Sequence, residues 1–284
     1  MRASITLLCL PCAGASATMY LRWRRRLPAW LRVQPVELPG RGARLHEAPE
    51  KVFDTLIGCL CDELEAYPSQ RYALFGHSMG ALLAYGIAHE LHSRDRPPPA
   101  ALLVSGCAAP SRQDWRRYAN KSSREDLIAD LRKQNGTPEE IFEAPELLSM
   151  TLNLLQADYR ICASFRHRKV QPLFMPVHVF GGRSDGIHES RLEAWQSECA
   201  TDFSLDWFEG GHFFLRQHEE AFLDVMVERL AGSTAGEAGS NPAGECHAAC
   251  ASARNGSGGG GSMAIQAEPG HAHTSARSVR AECG

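Results

Sequence analysis

A chain of 284 residues with 44% hydrophobic and 22% charged content can bury a substantial core and suits one α/β domain. A formal net charge of −3 gives no electrostatic case for nucleic acid. No run approaches the about 20 consecutive apolar residues of a membrane span, and the short N-terminal apolar run lacks a signal peptide's cleavage segment, so a cytosolic monomer is expected.

In chain order, residues 5–9 read as a buried strand, and the small residues Pro11, Cys12, Ala13, Gly14 and Ala15 after it form a strand-to-helix loop. Cys9 and Cys12 stand at C-x-x-C spacing, but no second ligand pair follows, and the 10 cysteines suggest neither a disulfide framework nor a zinc site. Arg22, Arg24, Arg25 and Arg26 around Trp23 read as a solvated helix face, with docking to an acidic protein as the functional alternative. A strand at 33–38 and a helix at 53–67 precede a third strand at 72–75.

Directly after that strand comes Gly76-His77-Ser78-Met79-Gly80, and directly after it a helix-like run at 81–92. Strand, G-x-S-x-G and helix together predict a nucleophile elbow: a tight turn flanked by glycines that exposes Ser78 above the sheet. A fourth strand is expected at 101–105. From about 111 to 171 the alternation gives way to helices at 122–131, 138–142 and 145–165, read as a lid inserted over the strand ends. Its apolar residues Leu127, Ile128, Leu131, Ile141, Phe142, Leu148, Met150, Leu152 and Leu155 serve either burial or an acyl passage.

Strand 177–180 ends in glycines and a loop carrying Asp185; a helix at 191–199 and a last strand at 204–208 lead to Gly210-Gly211-His212. Ser78, Asp185 and His212 thus follow in the chain order of a serine hydrolase triad. The residue types fit the chemistry. A serine hydroxyl is a weak nucleophile at neutral pH, so His212 takes its proton and returns it to the leaving group while Asp185 orients the imidazole. Asp158 and Asp206 are the competing acids, and Asp158→Ala is expected to keep substantial activity. The anion formed on the substrate carbonyl needs two backbone donors, assigned to Met79 after the nucleophile and Ala13 in the first loop. No cofactor or metal is expected.

The strings around Leu10–Ala17, Glu37–Leu45, Phe75–Ala81, Gln156–Arg160 and Gly211–Leu215 resemble those of the stand-alone type II thioesterases, over about residues 4–230. One departure is Ala15, where the family more often has a second glycine. The resemblance implies an α/β-hydrolase fold: a doubly wound, mostly parallel sheet with a helical lid. It also implies hydrolysis of acyl thioesters on the phosphopantetheine arm of acyl or peptidyl carrier proteins. The family's role is to clear misprimed or stalled units in nonribosomal peptide and polyketide biosynthesis, a branch of secondary metabolism. A general carboxylesterase or lipase and a non-catalytic acyl-binding homologue are the alternatives. The thioesterase domain is expected to span 1–232. From 233 to 284 the Gly/Ala/Ser-rich composition predicts a flexible tail, in which Cys246, His247 and Cys250 carry no assigned role.

Overall fold

Alternate residues of the central strands are apolar toward both faces, so the sheet must be covered on both sides. A computed structural model of the chain describes residues 4–64, 71–121 and 123–235. Strands β1 (Ile5–Leu10), β2 (Leu31–Pro35), β3 (Tyr72–His77), β4 (Leu102–Ser105), β5 (Val177–Gly182) and β6 (Phe203–Phe208) form one sheet in the order β2-β1-β3-β4-β5-β6. Every pairing between these strands is parallel, which requires a crossover between successive strands and aligns their C-terminal ends along one edge.

The α-helices are α1 (Phe53–Leu64), α2 (Met79–Ser93), α3 (Arg116–Ala119), α4 (Arg124–Gln134), α5 (Glu139–Glu143), α6 (Pro145–Ser164), α7 (Glu189–Glu193), α8 (Phe214–Gln217) and α9 (Glu219–Ala235). Leu8, Leu10, Leu74, Leu102, Val104, Val177 and Val179 pack with residues of α1 and α2 on one face. Their strand neighbours Leu7, Cys9, Ala73, Phe75, Leu103 and Phe180 pack on the other face with α9 and the 3-10 helix Ala17–Arg25. Trp23 is central to this second core, its ring 5.2 Å from Phe75 and 5.8 Å from Phe222. On the outside of the same 3-10 helix, Arg22 and Arg26 pair with Glu219 and Arg24 Nε donates to Val33 O at 3.3 Å, so three of the four predicted basic residues are bound within the fold.

Several element ends differ from the sequence expectation for backbone reasons. β2 ends at Pro35 rather than at residue 38, and Leu38 is buried in the loop that follows. β3 and β5 run on through their glycines to His77 and Gly182 because the ladder outlasts the apolar run. The helix expected at 191–199 is α7 continued by the 3-10 turn Ala194–Glu198. α1 ends at Leu64 among the described residues, and the expected 65–67 extension and Ser122 lie outside them. α9 carries the fold to Ala235, past the expected boundary at 232, and Ser233 Oγ lies 2.8 Å from Nε2 of His178 on β5. Residues 236–284, with the glycine-serine run and Cys246, His247 and Cys250, lie outside the described residues.

The insertion between β4 and β5 holds α3 to α6. Ser123 caps α4 by accepting from Asp126 N at 3.1 Å, and Asn135 ends it in the left-handed conformation, φ 53°. Leu127, Leu131, Leu148, Leu152, Leu155 and Tyr159 form a small core of their own, against which Ala13 of the body packs. Burial is therefore the observed use of most predicted lid apolar residues, whereas Met150 is 56% exposed.

Candidate active site

Between Ala73 and Tyr85 every residue but Ser78 is buried. Ser78 joins β3 to α2 with φ 55° and ψ −117°, a conformation that costs a residue with a side chain about 1–3 kcal/mol and persists only where its surroundings impose it. The glycines on either side explain how it is imposed. A Cβ on Gly76 would lie 2.0 Å from Gly80 O, and one on Gly80 would lie 2.2 Å from Leu10 O and 2.8 Å from Pro11 O. The turn closes only because both side chains are missing. The same close approach seats the first turn of α2, with the Met79 N–H, against the loop that begins at Pro11.

Asp185 and His212 come from the next loops along the edge. Ser184 N donates to Gly210 O at 2.9 Å, tying the two loops together. Asp185 Oδ1 then lies 2.7 Å from His212 Nδ1, and the two side chains are only 5% and 10% exposed. A carboxylate there fixes the tautomer with its proton on Nδ1 and leaves Nε2 as the basic nitrogen. The His212 ring also lies 4.8 Å from that of His77, the neighbour of Ser78, which brings the histidine loop to the elbow.

His77 was not singled out by the sequence. Its Nδ1 lies 3.0 Å from Ser105 Oγ, and its ring is fully buried. Burial first, then the proximity of His212 and Arg216, hold its pKa well below the usual histidine value. It stays neutral and acts as a wall behind His212. Gly106, at φ 57°, leaves room for it: a Cβ there would lie 2.6 Å from His77 Cε1.

Of the competing acids, Asp206 bonds to Arg229 through two contacts of 2.5 and 2.9 Å, on the last strand. Asp158 is fully buried on α6 and faces Arg41, whose Nη1 and Nη2 donate at 2.8 and 2.5 Å. Its Oδ2 also accepts from Gly14 N at 2.7 Å. Asp158 is thus committed to Arg41, and Asp158→Ala would strand a buried guanidinium at a cost of about 3–5 kcal/mol of stability. Ala15 is not among the non-glycine residues with positive φ, so its Cβ brings no left-handed backbone strain to the loop; its carbonyl accepts from Arg41 Nη1 at 3.1 Å.

The first loop carries Ala13 between β1 and the 3-10 helix, and Gly14 within it adopts φ 74°. Ala13 and Met79 thus stand on the two segments that Gly80 brings into contact. The lid reaches the site through Asp158 at this loop and through Gly136, whose missing side chain admits the Phe213 ring beside His212. Arg216 Nη1 donates to Gly136 O at 3.0 Å on the same side. The thiols near the site are inert: burial pushes Cys12 up to about 11 and Cys107 up to about 12.

A strained serine at an elbow and a carboxylate-bound histidine whose ring lies 4.8 Å from that of His77 are the residue types that acyl transfer uses. The model of the thioesterase domain family matches residues 5–230. The chain belongs to the thioesterase family. This thioesterase is 31% identical to the gramicidin S biosynthesis protein GrsT of Aneurinibacillus migulanus, over 80% of this chain and 90% of that protein. Among solved structures it is similar to the thioesterase RedJ of the prodiginine pathway in Streptomyces coelicolor, with 33% identity, TM-score 0.75, and 80% and 91% of the two chains covered. The type II thioesterase BorB of the borrelidin cluster gives 38% identity, TM-score 0.73, and coverage of 81% and 94%. The fold is that of the α/β-hydrolases, and the protein is an acyl thioester hydrolase akin to the type II thioesterases of nonribosomal peptide and polyketide pathways.

Proposed function

We propose that this thioesterase clears acyl groups from the phosphopantetheine thiols of acyl or peptidyl carrier domains, restoring misprimed or stalled nonribosomal peptide or polyketide synthetases. Ser78 is the nucleophile, His212 the general base and acid, Asp185 its orienting carboxylate, and the N–H groups of Ala13 and Met79 the oxyanion donors. The observation that carries the reading is the His212–Asp185 hydrogen bond of 2.7 Å beside the Ser78 elbow.

In the acylation half, Ser78 Oγ attacks the thioester carbonyl as its proton passes to His212 Nε2. The tetrahedral oxyanion is held by the two N–H groups. Collapse expels the pantetheine sulfur, which, with a thiol pKa near about 8.5, demands less protonation than an amine would. Water then attacks the acyl-serine with His212 again as base, releasing the carboxylic acid and free Ser78. No step calls for a metal or organic cofactor.

Pathway membership of the relatives supports a carrier-bound substrate, since GrsT and RedJ are named for gramicidin S and prodiginine biosynthesis. Among the described residues no helix is long and apolar enough to cross a membrane, in keeping with action on cytoplasmic synthetases. The test compares acyl release from a phosphopantetheinyl carrier protein, the matching acyl-coenzyme A and a simple aryl ester, with Ser78→Ala as control. Fastest Ser78-dependent release from the carrier is expected. Turnover of the ester alone would move the protein to the general esterases and remove the carrier partner.

A further inference from the structure

We propose that Arg41 and Asp158 are positioning residues for the oxyanion hole: their buried pair clamps the loop after β1 so that the Ala13 N–H points at the developing negative charge. This rests on Ala13 being a donor, as in the reading above.

The clamp grips the loop just past Ala13, and the turn bond from Ala15 N to Cys12 O, 3.2 Å, carries that grip back to the Cys12–Ala13 peptide that bears the Ala13 N–H. Asp158 Oδ2 takes the Gly14 N–H at 2.7 Å, which sets the plane of the Ala13–Gly14 peptide. Arg41 Nη1, while bonded to the same oxygen at 2.8 Å, also donates to Ala15 O at 3.1 Å, which sets the next turn of the chain. Gly14, in the left-handed region at φ 74°, sits where a Cβ would be 3.4 Å from Leu155, one turn before Asp158 on α6. A second carboxylate continues the grip: Glu37 accepts from Ser16 Oγ at 2.7 Å and Ala17 N at 3.0 Å.

The turn that delivers Arg41 is shaped for this. Gly40 and Gly42 have φ 82° and 50°; a Cβ on Gly40 would lie 2.8 Å from Pro49, and one on Gly42 would lie 2.0 Å from Glu37 Oε2. Arg41 is thereby driven inward until it is 3% exposed, with its Nε buried and lacking a partner among the described residues.

Stability alone is a poor reason for such a pair. Desolvating two charges consumes most of their attraction, and apolar replacements of similar volume are often as stable or more so. What an apolar pair cannot do is hold Gly14 N and Ala15 O in one orientation. Preorganised donors are worth about 100-fold or more in rate when lost, because they need no rearrangement as charge develops.

The experiment measures Ser78 phosphonylation by a fluorophosphonate, whose adduct places an oxygen in the oxyanion hole, together with kcat and KM for an acyl thioester, per folded molecule. The variants are Asp158→Asn, Arg41→Lys and the double Arg41→Met/Asp158→Leu. The proposal predicts about 100-fold slower labelling and lower kcat for Asp158→Asn with KM within a few-fold, partial recovery in Arg41→Lys relative to the double variant, and a double variant that melts near wild type yet labels slowly. Labelling and kcat at wild-type values in folded Asp158→Asn or in the double variant would overturn it, since the pair would then serve packing alone. Wild-type protein that is not labelled at Ser78 would overturn the reading beneath it as well, so the two failures are told apart.

Discussion

His212 Nδ1 and Asp185 Oδ1 stand 2.7 Å apart, joining the loop after β6 to the loop after β5 across 27 residues of sequence. This bond commits the imidazole to one tautomer, and the proposed attack by Ser78 requires it. Asp185→Asn keeps the shape but reverses the tautomer, and a fall in kcat of about 10⁴-fold is expected. Ser78→Ala and His212→Ala should lose at least as much while their circular dichroism and melting remain those of folded protein. Turnover measured on an acyl thioester checks all three; near-normal activity in Asp185→Asn would remove Asp185 from the triad.

The elbow sets stability against function. Ser78 at φ 55° and ψ −117° holds a conformation that glycine adopts freely. Ser78→Gly should therefore abolish turnover yet raise stability by about 1 kcal/mol relative to Ser78→Ala, which retains the strained Cβ. Gly80→Ala should act oppositely, since its methyl would sit 2.2 Å from Leu10 O. Urea melts of the three variants give the comparison, and equal stability of Ser78→Gly and Ser78→Ala would show that the turn carries no strain.

What the sequence made legible follows from which signals are local. The elbow glycines, the strand before Ser78 and the helix after it are neighbours in the chain, and triad order places Asp185 and His212 by counting strands. Fully buried strands such as β3 and β5 announce themselves as short apolar runs. The Arg41–Asp158 pair joins residues 117 apart, and nothing in either segment's periodicity reports its partner. Asp158 therefore read as a competing acid or a structural, lid-associated residue on an amphipathic helix, with no partner named. α9 escaped notice because its core residues Phe222, Leu223, Met226 and Leu230 run into the small residues of the tail.

Acid should destabilise the fold through buried neutral histidines. His178, between Ser204 Oγ and Ser233 Oγ at 2.8 Å each, has its pKa lowered by burial from 6.5 to about 4, and His89 is likewise lowered to about 4 by burial. The unfolded chain then binds protons that the native one refuses, so stability is complete above pH about 6.5 and falls as pH drops toward 4. His178 contributes a slope of at most about 1.4 kcal/mol per pH unit in that window. Melting of wild type and His178→Asn from pH 7 to 4 checks this: the variant should lose less stability on acidification.

Thiol reactivity should be separable from activity. Cys59 is exposed, whereas Cys9, Cys12, Cys61, Cys107 and Cys162 are buried. Burial holds Cys12 near about 11, far from a thiolate at neutral pH. Brief treatment of the native enzyme with iodoacetamide should alkylate Cys59 well before Cys12 and leave thioester hydrolysis unchanged. Peptide mapping with a parallel assay would show it, and inactivation that tracks Cys59 modification would contradict the separation of thiol reactivity from activity.

In the proposed mechanism acyl groups pass through Ser78 with His212 as base. Rapid-quench mass spectrometry of the enzyme mixed with an acyl thioester measures it most directly. A burst of acyl-enzyme is expected, its mass located on the peptide containing Ser78, absent from Ser78→Ala and slow to form and decay in His212→Ala. An acyl mass on another residue, or full turnover by Ser78→Ala with no covalent intermediate, would contradict it.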